Sequence, residues 1–215
     1  MRYQRTLPLP PKTTLSGLLC AALGLDASEA NELTSKLKIG IVEIQREGIA
    51  RDLWRITKLK QGAGAEFQVL VRERIVHPLY VVYFSGYDES CLESWKTALQ
   101  NPKFALTLGA SDDLCIIRNA QIVNLTACTG TTTFQNTLLP FNYKDKGVKM
   151  AKLEIKSGSV IHMPQIFSVP TGFALHGARR TGINIRDFTY VSTPGVEVSN
   201  LEGAWSDGGR SFFLF

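Results

Sequence analysis

Leu53-Trp-Arg-Ile-Thr-Lys-Leu-Lys-Gln-Gly-Ala-Gly-Ala-Glu-Phe-Gln-Val-Leu-Val-Arg-Glu-Arg74 is the stretch on which the fold turns. Leu53 to Leu59 reads as an extended segment, and Gln61-Gly62-Ala63-Gly64-Ala65 breaks it. Phe67 to Val71 resumes it. Phe67, Val69 and Val71 alternate with Gln68, Leu70, Arg72 and Arg74, the period of two that puts successive side chains on opposite faces of a strand. Two such runs around a glycine-containing break predict a long hairpin over about 53–74. Its flanks carry Lys58, Lys60, Arg72 and Arg74.

Upstream, Leu7 to Lys12 is proline-rich and must be extended, because each proline also restricts its predecessor. Thr13 or Thr14 is the expected cap of a first helix, with Leu15, Leu18, Leu19, Ala22 and Leu23 at helical spacing and Gly24 at its stop. A second helix is expected from Asp26 to about Lys36, with Glu29 completing a capping box. Ile39 to Ile44 reads as a strand. Downstream, Leu79 to Phe84 is a strand. Ser90 to Gln100 is a helix, with Ser90 and Glu93 as its capping box, and Asn101-Pro102 ends it. Phe104, Leu106 and Leu108 alternate as a strand. The remainder reads as short strands at Ile116–Leu125, Lys152–Lys156, Phe188–Val191 and Phe212–Phe215. The class is α+β, one domain, with residues 1–125 holding the hairpin and 126–215 a β-rich extension.

Charge and composition narrow the function. The 215 residues are 44% hydrophobic and 20% charged, a globular balance rather than a disordered one. The net charge is +5. Between Lys36 and Arg74 nine basic residues face five acidic ones, so this region holds nearly the whole surplus; Gly86 to Asp113 is net acidic. A polyanionic partner fits such a patch. No apolar run reaches the length of a membrane span, and Pro8, Pro10 and Pro11 occupy the place of a signal peptide's apolar core. A cytoplasmic protein is expected. Cys20, Cys91, Cys115 and Cys128 are widely spaced free thiols, and His77, His162 and His176 form no metal-binding pair, so no metal or cofactor is expected. Phosphate-binding and dinucleotide-binding glycine motifs are absent.

Three segments carry a family resemblance. Thr6-Leu-Pro-Leu-Pro-Pro-Lys-Thr-Thr-Leu-Ser-Gly-Leu-Leu-Cys-Ala-Ala-Leu-Gly24 resembles the signature of CRISPR-associated (Cas) family five, where an extended proline segment turns into a glycine-containing first helix. Arg72-Glu-Arg-Ile-Val-His-Pro-Leu-Tyr80 is similar to the basic stretch before that family's mid-domain strand. Asn101-Pro-Lys-Phe-Ala-Leu-Thr-Leu-Gly109 is similar to its "N-P-x-[FY]…L-G" element.

The resemblance implies a ferredoxin-like (RRM/RAMP) domain with an extended basic β-hairpin thumb. It also implies a hetero-oligomeric role in a type I Cascade, closest to subtype I-B. There the subunit binds the crRNA 5′ handle, contacts the backbone (family seven) Cas subunit, docks the large (family eight) Cas subunit, and meets target DNA through the complex. Members carry a full strand before the proline segment; here only Met1 to Arg5 precede it, so either the sequence starts late or another segment or subunit completes the sheet. An unfilled sheet edge predicts poor stability in isolation.

Gripping single-stranded RNA needs cations along the phosphates and surfaces for stacking. The expected contacts are Lys58, Lys60, Gln61, Arg72 and Arg74 on the hairpin, extended by Arg51 and Arg55, with Trp54 a stacking surface or core residue. Lys12 and Thr13 sit where a helix N-terminus offers free N–H groups to a phosphate. No catalytic residue is expected. The alternative is a metal-independent endoribonuclease that cuts CRISPR repeat RNA through His77, Tyr80 or a nearby lysine. A third reading is a basic protein-interaction module with no RNA role.

Overall fold

The computed structural model describes residues 2–60, 64–145, 148–150, 162–177, 179–199 and 202–215. In chain order these form β1 (Arg2–Gln4), α1 (Lys12–Leu23), α2 (Ala27–Lys36), β2 (Lys38–Gln45), β3 (Gly48–Lys60), β4 (Gly64–Val76) and β5 (Leu79–Ser85). There follow α3 (Glu89–Gln100), β6 (Thr126–Ala127), β7 (Thr132–Phe134), β8 (Thr137–Leu139) and β9 (Lys149–Met150). The chain finishes with β10 (Gln165–His176), β11 (Arg179–Val191), β12 (Val196–Val198), β13 (Ala204–Ser206) and β14 (Ser211–Phe213). The class is α+β, as the sequence predicts.

The helices are set by local chemistry. The Asp26 carboxylate accepts from the Ser28 and Glu29 amides at 2.8 and 2.9 Å, and Glu29 accepts from the Asp26 amide at 2.8 Å, the reciprocal box the sequence predicts. Gly24 ends α1 at φ +72°, where a Cβ would be strained. Two caps differ from expectation. Pro11, not Thr13 or Thr14, stands at the α1 N-cap, and its fixed φ makes the entry without a side-chain cap. Asp88, not Ser90, caps α3, accepting from the Cys91 amide at 2.9 Å; a carboxylate so placed outcompetes the hydroxyl two residues on, which itself donates to Asp88.

Two compact units emerge. One comprises Met1–Pro8 and Glu43–Tyr80, the other Leu9–Val42 and Val81–Phe215. The first is built on a three-stranded sheet in the order β1-β4-β3. The hairpin β3–β4 is longer than expected at 13 residues per strand. The N-terminal residues do form a strand: β1 adds parallel to β4, with Tyr3 opposite Val71. Glu43 and Arg46 form a two-pronged ion pair at 2.6 and 2.8 Å, and Arg46 also donates to the Pro8 carbonyl.

The second unit carries a five-stranded sheet, β10-β11-β8-β2-β5, and two small three-stranded sheets. Its largest core gathers Phe134, Leu139, Val191, Val196, Val198, Ala204 and Phe213. Tyr83 stacks on Phe212 with ring centroids 3.7 Å apart. The C-terminal residue pairs both ways with Ile39 through the backbone. Three sequence expectations need correction. Phe104–Leu108 is not a strand but one side of a tight loop closed by a Thr107–Leu114 bridge, with Leu106 packed under α1. Ile116–Leu125 has no ladder partner among the described residues. The expected short strand at Phe188–Val191 is the end of a second long hairpin, β10–β11. Lys152–Lys156 lies outside the described residues.

Candidate nucleic-acid interface

The antiparallel register of β3 and β4 sorts the expected contact residues onto two faces. Arg51 pairs with Glu73, Leu53 with Val71, Arg55 with Val69 and Thr57 with Phe67. Asp52 pairs with Arg72, Trp54 with Leu70, Lys58 with Glu66 and Lys60 with Gly64, while Arg74 stands opposite Ala50. Directly opposed residues share a face and neighbours along a strand do not. Arg51 and Arg55 therefore occupy the face opposite to that of the strand positions of Lys58, Lys60, Arg72 and Arg74. The sequence reads these cations as one track; the register divides them.

Arg72 is buried, at 7% exposure. Its guanidinium donates to Asp52 at 2.9 Å and lies 4.7 Å over the Trp54 ring. Trp54 is 44% exposed, a surface ring with a cation laid on it rather than a core residue. Arg74 is half-buried on the same face. Gln61 lies outside the described residues.

On the other face, Arg55 lies 5.0 Å over Phe67 and Arg51 5.9 Å over Tyr3. The Tyr3 hydroxyl donates to Glu73, which also accepts from the Thr6 amide at 3.3 Å. Sequence reasoning misses Tyr3 because three residues are too few to show a strand period; its only signal is an aromatic among arginines.

Lys12 and Thr13 belong to the other compact unit. Thr13 is buried. The Lys12 ammonium donates to the Phe215 carbonyl at 3.2 Å, and burial, with Arg186 and Lys38 nearby, pulls its pKa below the ordinary lysine range. Arg180 lies in β11 and lines a small cavity with Thr13, Gly17, Cys20 and Phe173.

The residues of the nuclease alternative sit near the base of the first hairpin. His77 holds a positive φ of 44°, is exposed, and has Nδ1 2.7 Å from a Glu47 carboxylate oxygen. Burial first, then the Glu43 charge, drives the Tyr80 phenol well above its usual range. Among the described residues no group of three or more His, Cys, Asp or Glu side chains is arranged to hold a metal, and no helix is long and apolar enough to cross a membrane.

Comparison with known proteins gives the family. A family model described as CRISPR-associated protein (Cas_Cas5) matches residues 2–137. A solved chain described as "Crystal structure of Cas protein" aligns at 24% identity and TM-score 0.38, over 57% of this chain and 60% of that one. A chain from a "CRISPR RNA-guided surveillance complex" aligns at 15% identity and TM-score 0.55, over 93% of this chain and 83% of that one, which shows a shared fold. No curated protein matches significantly. Since the family model covers more than half of its length, this chain belongs to the CRISPR-associated protein (Cas_Cas5) family.

Proposed function

We propose that this chain is a non-catalytic RNA-binding subunit of a CRISPR RNA-guided surveillance complex, a type I Cascade of I-B-like subtype. Its ferredoxin-like, RAMP-type domain holds the 5′ handle of the guide RNA through the hairpin β3–β4. It joins the backbone (family seven) subunits to the large (family eight) subunit and meets target DNA only through the assembly. The observation that carries this reading is a hairpin of two 13-residue strands bearing Arg51, Arg55, Lys58, Lys60 and Arg74, in a chain of this family. Cations repeated along a strand match a polymer of phosphates. Arg72 supports the sheet that presents them. The fold likeness to a chain of a surveillance complex supports the setting.

Reconstitution tests it. The complex is assembled with and without this chain and treated with a 5′-to-3′ exonuclease. The guide's 5′ end is protected only when the chain is present; equal digestion in both samples removes the handle-holding role.

The nuclease alternative has one favourable observation, the His77–Glu47 pair, which suits a general base. Tyr80 works against it, because a phenol held protonated by burial is a poor base. Specific metal-free cleavage of repeat RNA, lost in His77→Ala, would replace the first reading.

A further inference from the structure

We propose that bases of single-stranded RNA stack on the sheet face that carries Tyr3 and Phe67, with Arg51 and Arg55 meeting the phosphates beside them. The proposal rests on the RNA-binding reading above and says which face of the hairpin performs it.

The opposite face holds the strand positions of Lys58, Lys60, Arg72 and Arg74. There Arg72 is engaged within the chain, by Asp52 and Trp54. The Tyr3–Phe67 face is uncovered instead. Leu53 is 68% exposed, Phe67 62%, Val69 52% and Tyr3 45%, in adjoining rows of one sheet face. An apolar patch of this kind marks a surface that another molecule covers.

Charge and pattern identify the occupant. The one carboxylate on this face among the residues paired above, Glu73, stands opposite Arg51 and accepts from the Tyr3 hydroxyl and the Thr6 amide. The two guanidiniums of Arg51 and Arg55 outnumber it, so these residues leave the face net positive, which favours an anion. Each guanidinium lies over an aromatic ring, and stacking there leaves its positive charge intact. Ring and charge are thus presented together, and the arrangement occurs twice, with Arg51 and Arg55 about 13 Å apart along β3. A nucleotide offers the complement of each pair, a flat base and a phosphate, and a nucleic-acid strand offers it repeatedly. A protein surface would have to match the same alternation with acidic side chains.

The test is fluorescence anisotropy of the full chain with labelled single-stranded oligoadenylate over a salt series. Phe67→Ala weakens binding by roughly tenfold with the salt slope unchanged, and Phe67→Trp restores it. Arg55→Gln weakens binding and lowers the slope by about 0.7. Phe67 is exposed, so an unchanged melting curve confirms that Phe67→Ala folds. Wild-type affinity in Phe67→Ala overturns the face assignment and leaves the subunit reading standing. A change in sedimentation without a change in RNA affinity also overturns it, in favour of a second copy on this face. No binding by the unaltered chain defeats the RNA-binding reading itself.

Discussion

The guanidinium of Arg72 lies 4.7 Å above the ring of Trp54, on one face of a sheet that the sequence reads as an RNA track. With the 2.9 Å bond to Asp52, this makes Arg72 a clamp between β3 and β4. Arg72→Ala removes a cation–π interaction and a charge-assisted hydrogen bond and should cost about 2 kcal/mol, read in a urea melt. Arg72→Lys keeps the charge but loses the flat fork, and should recover less than half of that. Equal stability of Arg72→Ala and wild type would show that the clamp is idle.

Replacing Lys58, Lys60 and Arg74 together by Gln should weaken guide binding. The slope of log affinity against log salt falls by about 0.7 for each phosphate that is no longer neutralised. An unchanged slope with unchanged affinity would remove this group from the interface.

Tyr83, Asp207 and Arg210 couple the stability of the larger unit to pH. The Tyr83 hydroxyl donates to Asp207 at 2.7 Å, and Arg210 reaches the same carboxylate at 2.5 Å. Burial pushes Asp207 up. Bonds from Tyr83 and the Gly209 and Arg210 amides, with the Arg210 charge, outweigh it and hold the carboxyl down at about 2. Burial and the bond to Asp207 push Tyr83 up to about 12. The folded carboxylate is favoured, so its stabilisation is full above the unfolded pKa of about 4 and is lost as pH falls toward 2. The folded neutral phenol is favoured, so its share is full below about 10 and is lost as pH rises toward 12. Tyr83→Phe should cost about 2 kcal/mol at pH 7 and flatten the alkaline limb of a stability–pH profile. A profile with the same alkaline slope as wild type would contradict this.

Gly40, in β2, packs closely against Phe212 and Phe213. A Cβ there would meet the Phe212 ring at 2.5 Å and the Phe213 carbonyl at 3.1 Å. Gly40→Ala should lower stability by about 1–3 kcal/mol, since a ring stacked on Tyr83 has little room to move. Thermal melts of the two proteins decide it; an unchanged midpoint would show that Phe212 repacks freely.

What the sequence discloses follows the range of the interactions involved. The Asp26–Glu29 box and the Gly24 stop are complete within a few residues, so α1 and α2 are legible. The first hairpin is legible because Phe67, Val69 and Val71 alternate cleanly around a glycine-containing tip. The second is not, because Pro170 and Gly172 in β10 and Gly182 in β11 are residues that argue against a strand, although the pairing keeps one register across them. The division of the cations is hidden for a different reason. Which face Arg51 or Arg72 occupies depends on strand register, and the Asp52–Arg72 bond joins residues on two strands. Tyr3 needs tertiary pairing with β4 to enter the site at all.

The central claim, that the hairpin β3–β4 grips the guide, is tested most directly by photocrosslinking within the assembled complex, followed by mass spectrometry of this chain's peptides. The account predicts RNA adducts within residues 48–76, with Phe67 or Tyr3 among the modified positions. Adducts confined to the remainder of the chain, with the hairpin peptides recovered unmodified, would contradict it.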